Sequence, residues 1–301
     1  MRLPKKVLWP TGAKELCGWR DYMPQGFKEL GIPLEGCERL QRDADERVWP
    51  VEGVRGVTSF ELVFEEKIQR IWYDIGCFPR HHGYERLMGE HDLYFKIRMD
   101  QRHVKYPRMF PIANRVTRPE RCFPILPQLR KASRNGKYVY DILAILRMTE
   151  YVIRSEAIRL VLKHGWKTEA WLTPHKRRPE PTVPLRAFKF EYEDYLMKQA
   201  HTKIGLALPG VGDMTFRQME IMAMGRPCLI TTPTTIAIAE GKDCWIECKR
   251  DMSDFVEKVS YYLEHEEERE AIGRNGQAFW ERYYSPKGQA EYVLRVAEEN
   301  P

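Results

Sequence analysis

The sequence predicts an α/β protein of about two domains. Three observations carry that reading. Short apolar runs recur at helix-length intervals, which suits a sheet with crossover helices better than a sandwich. The chain has 301 residues, more than one core usually organises. The stretch from Leu208 to Pro227 joins a strand end, a glycine turn and a helix, and a second apolar strand follows.

The elements follow in order. Val7-Leu8-Trp9 reads as a strand ending at Pro10-Thr11-Gly12, with a helix from Gly18 to Leu30 closed by Gly31-Ile32-Pro33. Val57 to Phe64 alternates apolar and polar residues, as a strand does. Arg70 to Gly76 and Asp92 to Ile97 are further short strands. Residues 99–137 are rich in Pro and Arg and lack a clean period, so they read as a connector with short strands at its start. The domain boundary is expected near 125–137, giving an N-terminal domain over 1–130 and a C-terminal one over 131–301.

Beyond it the pattern tightens. Val139 to Leu146 is a strand, Glu150 to His164 a helix closed by Gly165, and Thr168 to Thr173 a second strand. Glu191 to His201 is helical, Lys203 to Leu208 a strand, and Cys228-Leu229-Ile230 the next. Asp251 opens a helix with Phe255, Val256, Val259, Tyr262 and Leu263 on one face. Helices over Arg269–Tyr283 and Gly288–Glu298 close the chain.

Composition excludes some classes. No apolar run approaches the ~18 residues of a membrane span, and the first residues lack a signal-peptide core, so a cytoplasmic location is expected. The seven cysteines are odd in number and include no Cys-x-x-Cys, which reads as free thiols with no zinc site; Cys244 and Cys248 could pair, but a buried or incidental role is the preferred reading. The net charge of +6 is uneven. Between Lys96 and Lys137, twelve Lys or Arg face only Asp100 and Glu120. Such a segment suits an anionic ligand, a polymer or peripheral contact with a membrane surface; a solvated basic face is the plainer reading.

The stretch around Gly210-Val211-Gly212 carries the chemistry. Ligands of open α/β sheets bind at the carboxyl ends of strands. Gly210 and Gly212 let the backbone turn and approach a ligand closely. The helix starting near Thr215 points free N–H groups and its positive dipole end outward, which favours phosphate. Arg217 adds a charge-assisted bond to a diphosphate. Glu220 lies one turn on, on the same face, and its carboxylate can accept both ribose hydroxyls. A plain αβ unit with an exposed ion pair remains the alternative. Thr215 stands where Gly-x-Gly-x-x-Gly needs its third glycine, and there is no P-loop lysine.

Arg217-x-x-Glu220-x-x-Ala223-x-Gly225-x-Pro227-x-Leu229 resembles the donor-site segment of the GT-B glycosyltransferases, most nearly the CgeB-type and family 1 groups. Glu193, Met197, Thr202 to Leu206, Glu240-Gly241, Glu268-Arg269, Ile272-Gly273, Gly276 and Tyr283-Tyr284 are similar to the elements around that segment. The resemblance covers about residues 138–298; Trp72-Tyr73-Asp74 and His91 to Phe95 loosely resemble CgeB-type N-terminal segments.

It implies two Rossmann-like domains facing a cleft, with the donor on the C-terminal one and the last helix crossing back. Glu220 would hold the ribose, Arg217 and the Gly210–Gly212 loop the diphosphate, and Arg147 a phosphate. Gly212 stands where many retaining members carry a second Glu, which favours inversion. An inverting enzyme needs a base. Asp74, at a strand end before Gly76, is the first candidate; Asp21 and His82 are rivals. The expected activity is metal-independent transfer from a nucleoside-diphosphate sugar, UDP-linked by preference, to a glycan or lipid-linked acceptor, with hydroxylated DNA bases as the other acceptor. No cofactor is expected. A nucleotide-sugar 2-epimerase is the alternative enzyme. A nucleic-acid-binding protein using residues 96–137 is the alternative without catalysis.

Overall fold

The computed structural model describes residues 1–10, 22–40, 57–74, 92–97, 99–147, 151–174, 183–186, 191–210, 212–239 and 241–301. They form two compact units. Unit 1 comprises Met1–Arg115, Thr234–Ala239 and Glu281–Pro301; unit 2 comprises Val116–Pro233 and Glu240–Trp280. The division therefore falls earlier than 130/131, and two later segments return to unit 1. Among the described residues no helix is long and apolar enough to cross a membrane.

Unit 1 holds a sheet of six strands: β1 (Lys6–Pro10), β2 (Leu34–Cys37), β3 (Val57–Val63), β4 (Ile68–Asp74), β5 (Leu93–Lys96) and β6 (Met109–Pro111). Their order is β2-β1-β3-β4-β5-β6. β3 runs against both neighbours, whereas β1–β2, β4–β5 and β5–β6 pair in parallel. The reason is local. Only residues 64–67 separate β3 from β4, closed by Phe64 N–H donating to Lys67 O at 2.9 Å, and so short a link permits a hairpin but no crossover. Spacing between strands is thus not helix-length throughout.

Helix α1 (Tyr22–Glu29) packs against the last helix, Pro286–Glu299. Tyr22 OH donates to Tyr284 O at 2.7 Å, and Gly26 lets the backbones meet. A Cβ on Gly26 would sit 2.0 Å from Pro286 O.

In unit 2, residues 119–134, expected as part of a connector, are a helix, α2 (Pro119–Arg134). Cys122, Leu126, Leu129 and Ser133 form its buried stripe at helical spacing. Pro124 and Pro127, which obscured that period, lie outside the stripe. Then come β7 (Tyr140–Arg147), α3 (Tyr151–Lys163), β8 (Thr168–Thr173), α4 (Tyr192–Ala200), β9 (Thr202–Leu206), α5 (Phe216–Ala223), β10 (Cys228–Thr231), β11 (Ile246–Cys248), α6 (Phe255–Glu264) and α7 (Glu266–Phe279). Residues Trp280–Tyr284 continue α7 as a π turn before α8 (Pro286–Glu299).

α6 begins later than Asp251. Met252 takes a positive φ of 64°, and Asp251 accepts Ser253 N–H in a turn ahead of the helix. Cys244 and Cys248 are both free thiols.

The unit 2 sheet is wholly parallel in the order β11-β10-β9-β7-β8. Counted from β7, that is the doubly wound 2-1-3-4-5 order read in reverse. The chain turns one way from β7 to β8 and the other way to β9, so β7/β9 is the topological switch point. Apolar side chains on one face of the sheet, among them Ile142, Leu146, Ile204, Leu206 and Leu229, pack with Phe255 of α6 in a single core.

Gly26→Ala is expected to destabilise the protein by about 1–3 kcal/mol, because the added methyl meets backbone that cannot retreat as a side chain would. Chemical denaturation of the two proteins measures the difference.

Candidate functional site

At the switch point the carboxyl ends of β7 and β9 are held by one buried side chain. Arg154, in the first turn of α3, donates from Nε to Pro209 O at 2.8 Å and from Nη2 to Leu208 O at 3.0 Å. Its Nη1 reaches Arg147 O at 2.5 Å. The backbone beyond β9 then closes a turn through Gly210 N–H to Gly212 O at 3.0 Å. Thr215 caps α5, its Oγ1 accepting from Gln218 N–H at 3.3 Å. The helix ends at Gly225, whose φ of +79° suits glycine.

A cavity of about 490 Å³ opens here within unit 2. Five arginines line it (Arg118, Arg121, Arg147, Arg154 and Arg217) with two glutamates, Glu191 and Glu220. Thr117, Tyr192, Tyr195, Thr215 and Phe216 complete the wall. Arg121 is offset by Glu191 at 3.0 Å and by Glu193. The balance favours an anionic guest.

Glu220 is buried, and its two oxygens differ. Oε1 accepts Tyr192 OH at 2.6 Å and Thr117 N–H at 3.1 Å. Among the described residues Oε2 has no hydrogen-bond donor. Burial first, and then the adjacent Glu220 charge, raises the Tyr192 hydroxyl far above its ordinary range, so it stays protonated and donates. Arg217 donates from Nε to Tyr195 OH at 2.5 Å and lies over that ring. Arg118 and Arg121 both lie over the Tyr192 ring, each 5.8 Å from its centroid.

The structure thus brings Glu220, Arg217, Thr215 and Arg147 to one cavity. Gly210 and Gly212 lie on the loop whose entry Arg154 fixes. Asp213, beside the position of the absent second Glu, is tied to Arg250 at 2.6 Å and so does not stand in for it.

Asp74, the first candidate for a base, belongs to unit 1, is fully buried, and accepts from Lys96 Nζ at 2.8 Å and Tyr94 OH at 2.6 Å. A carboxylate held this way, against an equally buried ammonium, is a structural ion pair rather than a base open to an acceptor. Asp21 and His82 lie outside the described residues. So does Asp43-Ala44-Asp45, an Asp-x-Asp spacing of the kind that can hold a metal-bound diphosphate in other transferases.

Sequence reasoning missed Arg154, Tyr192, Tyr195 and Thr117. Arg154 carried a signal, since a cation in a first helical turn opposes the dipole. The tyrosines looked like core positions, and Thr117 acts through its backbone.

Residues 157–295 match the family described as "Glycosyl transferase-like". The chain has the GT-B fold. A solved α-glucosyltransferase, in complex with UDP and a 13-mer DNA containing an HMU base, shares the GT-B fold at a TM-score of 0.51 and 11% identity. That match covers 95% of this chain and 98% of the other. Sucrose-phosphate synthase from Thermosynechococcus elongatus matches at a TM-score of 0.48 and 9% identity, over 71% of this chain and 60% of its own. WaaG, a glycosyltransferase involved in lipopolysaccharide biosynthesis, matches at 0.43 and 13%, over 66% and 62%. The chain spans about three fifths of the length of these last two. Among curated proteins none matches the sequence. The resemblance to GT-B glycosyltransferases and the two-domain α/β fold expected from the sequence are borne out.

Lys96→Met is expected to destabilise the protein by about 3–5 kcal/mol by removing the buried ammonium that faces the buried Asp74 carboxylate. Adding Asp74→Asn should restore most of that loss. Thermal and urea unfolding of the single and double variants checks both expectations.

Proposed function

We propose that this GT-B protein transfers a sugar from a nucleoside-diphosphate donor, UDP-linked by preference, to an acceptor hydroxyl. One observation carries the reading. Buried Glu220 and first-turn Arg217 share a cavity, at the switch point of a parallel sheet, with a Thr215-capped helix. The volume, about 490 Å³, falls in the range of small-molecule sites.

In this proposal Glu220 Oε2 accepts from the ribose, and Arg217, Arg147 and the N-terminus of α5 meet the diphosphate. These fixed positive groups stabilise the charge that grows on the departing nucleoside diphosphate, without a metal. The acceptor hydroxyl gives its proton to a base, for which Asp21 and His82 are the proposed candidates, since Asp74 is engaged by Lys96. Inversion remains the preferred stereochemistry, supported by Gly212 and by the engagement of Asp213 with Arg250.

A glycan or lipid-linked precursor is proposed as the acceptor. A second reading, a hydroxylated base in DNA, is favoured by the likeness to the DNA-bound α-glucosyltransferase along nearly the whole of both chains.

A thermal-shift panel of UDP-, GDP-, dTDP- and CMP-sugars tests the donor. UDP-sugars should raise the melting midpoint. Glu220→Ala and Arg217→Ala should each weaken binding about tenfold or more, since each removes charge-assisted hydrogen bonds. Binding untouched by Glu220→Ala sinks the assignment. Mass measurement of glycans and of hydroxymethylated DNA after incubation with UDP-glucose separates the acceptors, and the anomeric configuration of the product decides the stereochemistry.

A further inference from the structure

Helix α4 carries Tyr192 and Tyr195 one turn apart, and α5 carries Arg217 and Glu220 one turn apart. The two pairs meet in opposite order. Tyr192 OH donates to Glu220 Oε1 at 2.6 Å, and Tyr195 OH accepts from Arg217 Nε at 2.5 Å. We infer that these two tyrosines are positioning residues of the donor site, with Tyr192 aiming the Glu220 carboxylate at the ribose and Tyr195 aiming the Arg217 guanidinium at the diphosphate. The inference rests on the donor reading proposed above.

The geometry gives each hydroxyl a separate job. Glu220 takes two donors on Oε1, the Tyr192 hydroxyl and Thr117 N–H, which fixes the plane of the carboxylate and turns Oε2 to other partners. A carboxylate on a rotatable side chain otherwise loses conformational freedom on meeting a ligand. Among the described residues Arg217 is held through Nε alone, so the two terminal nitrogens of its fork keep their donors for a phosphate. Tyr195 is itself fixed, since Gln199 Nε2 donates to its hydroxyl at 2.9 Å. The chain of support runs from α4 side chains to α5 side chains. The ring of Tyr192 also lies beneath Arg118 and Arg121, so its hydroxyl and its face serve different neighbours.

The experiment uses Tyr192→Phe and Tyr195→Phe, which keep both rings and remove only the hydroxyls. Calorimetry measures binding of UDP, 2′,3′-dideoxy-UDP and uridine to the full chain. Tyr192→Phe should weaken UDP about 5–10-fold while leaving dideoxy-UDP, which has no diol for Glu220, unchanged. Tyr195→Phe should weaken UDP by a similar factor, about 5–10-fold, and leave uridine, which has no phosphate, unchanged. In a Glu220→Gln background the Tyr192→Phe effect should shrink, because the two residues act as one unit.

Equal weakening of all three ligands overturns the inference, since packing alone would produce it. So does the absence of any effect, or a phenylalanine variant that no longer folds, which would assign the hydroxyl to the fold. If wild type binds no UDP, the donor reading itself fails. If wild type binds UDP and Glu220→Gln weakens it while the phenylalanine variants do not, the donor reading stands and only the tyrosine assignment falls.

Discussion

The cavity in unit 2 depends on the three carbonyls that Arg154 gathers. Parallel strands diverge at a switch point, and the backbone leaving them has carbonyls with no neighbouring strand to donate to them. Arg154 supplies that donor from one planar guanidinium, reaching the end of β7 through Arg147 O and the end of β9 through Leu208 O and Pro209 O. A buried cation is costly unless hydrogen-bonded, and here several of its N–H groups are engaged. The loop over residues 209–215 therefore starts from a fixed point. The turn at Gly210, the Thr215 cap and the first turn of α5 are placed relative to Arg147 by that one side chain.

Charge placement in the same region runs against local preference. Helices favour acids in their first turn, yet α3 opens with Arg154 and α5 with Arg217, and neither has an acid there. Each exception has a different resolution. Arg154 spends its donors on carbonyl oxygens and so acts as a strut. Arg217 meets a neutral phenol at Nε, which orients it without cancelling its charge. One arginine braces the cavity, and the other lines it with its charge intact. Violations of local rules at functional positions are expected, because stability there yields to geometry.

How much of this was legible follows from the same distinction. The strand, glycine turn and helix around Gly210–Gly225 were readable because turn chemistry, helix period and the Arg217/Glu220 spacing all act within twenty residues. The parallel order of β7 to β10 was readable because each strand is followed by a helix. α2 was not, since Pro124 and Pro127 looked like helix breakers, although Cys122, Leu126, Leu129 and Ser133 already carried the period. The hairpin of β3 and β4 was hidden in a four-residue link whose meaning lies in its length. Tyr192 and Tyr195 were invisible as site residues, because helical aromatics read as core until the opposing helix is known. Asp74 shows the converse: its strand-end position suggested a reactive group, and only the packing showed Lys96 against it.

The basic segment from 96 to 137 shows why net charge along a chain is a poor guide to a surface field. Its excess of cations is divided between two units and among several tasks. Lys96 neutralises Asp74 in the interior of unit 1, where Arg115 is buried as well. Arg102 pairs with Asp100, and Arg121 with Glu191 and Glu193. Arg130 donates to Ala223 O at the end of α5 and Arg134 to Gln277 on α7. Charges paired with acids contribute little to long-range attraction in physiological salt, whereas those on carbonyl or amide oxygens keep their charge. The field of this segment is therefore smaller than its count of cations suggests. Arg118 and Arg121 instead join the cavity wall, where a low-dielectric enclosure makes each charge count for more than it would on an open face.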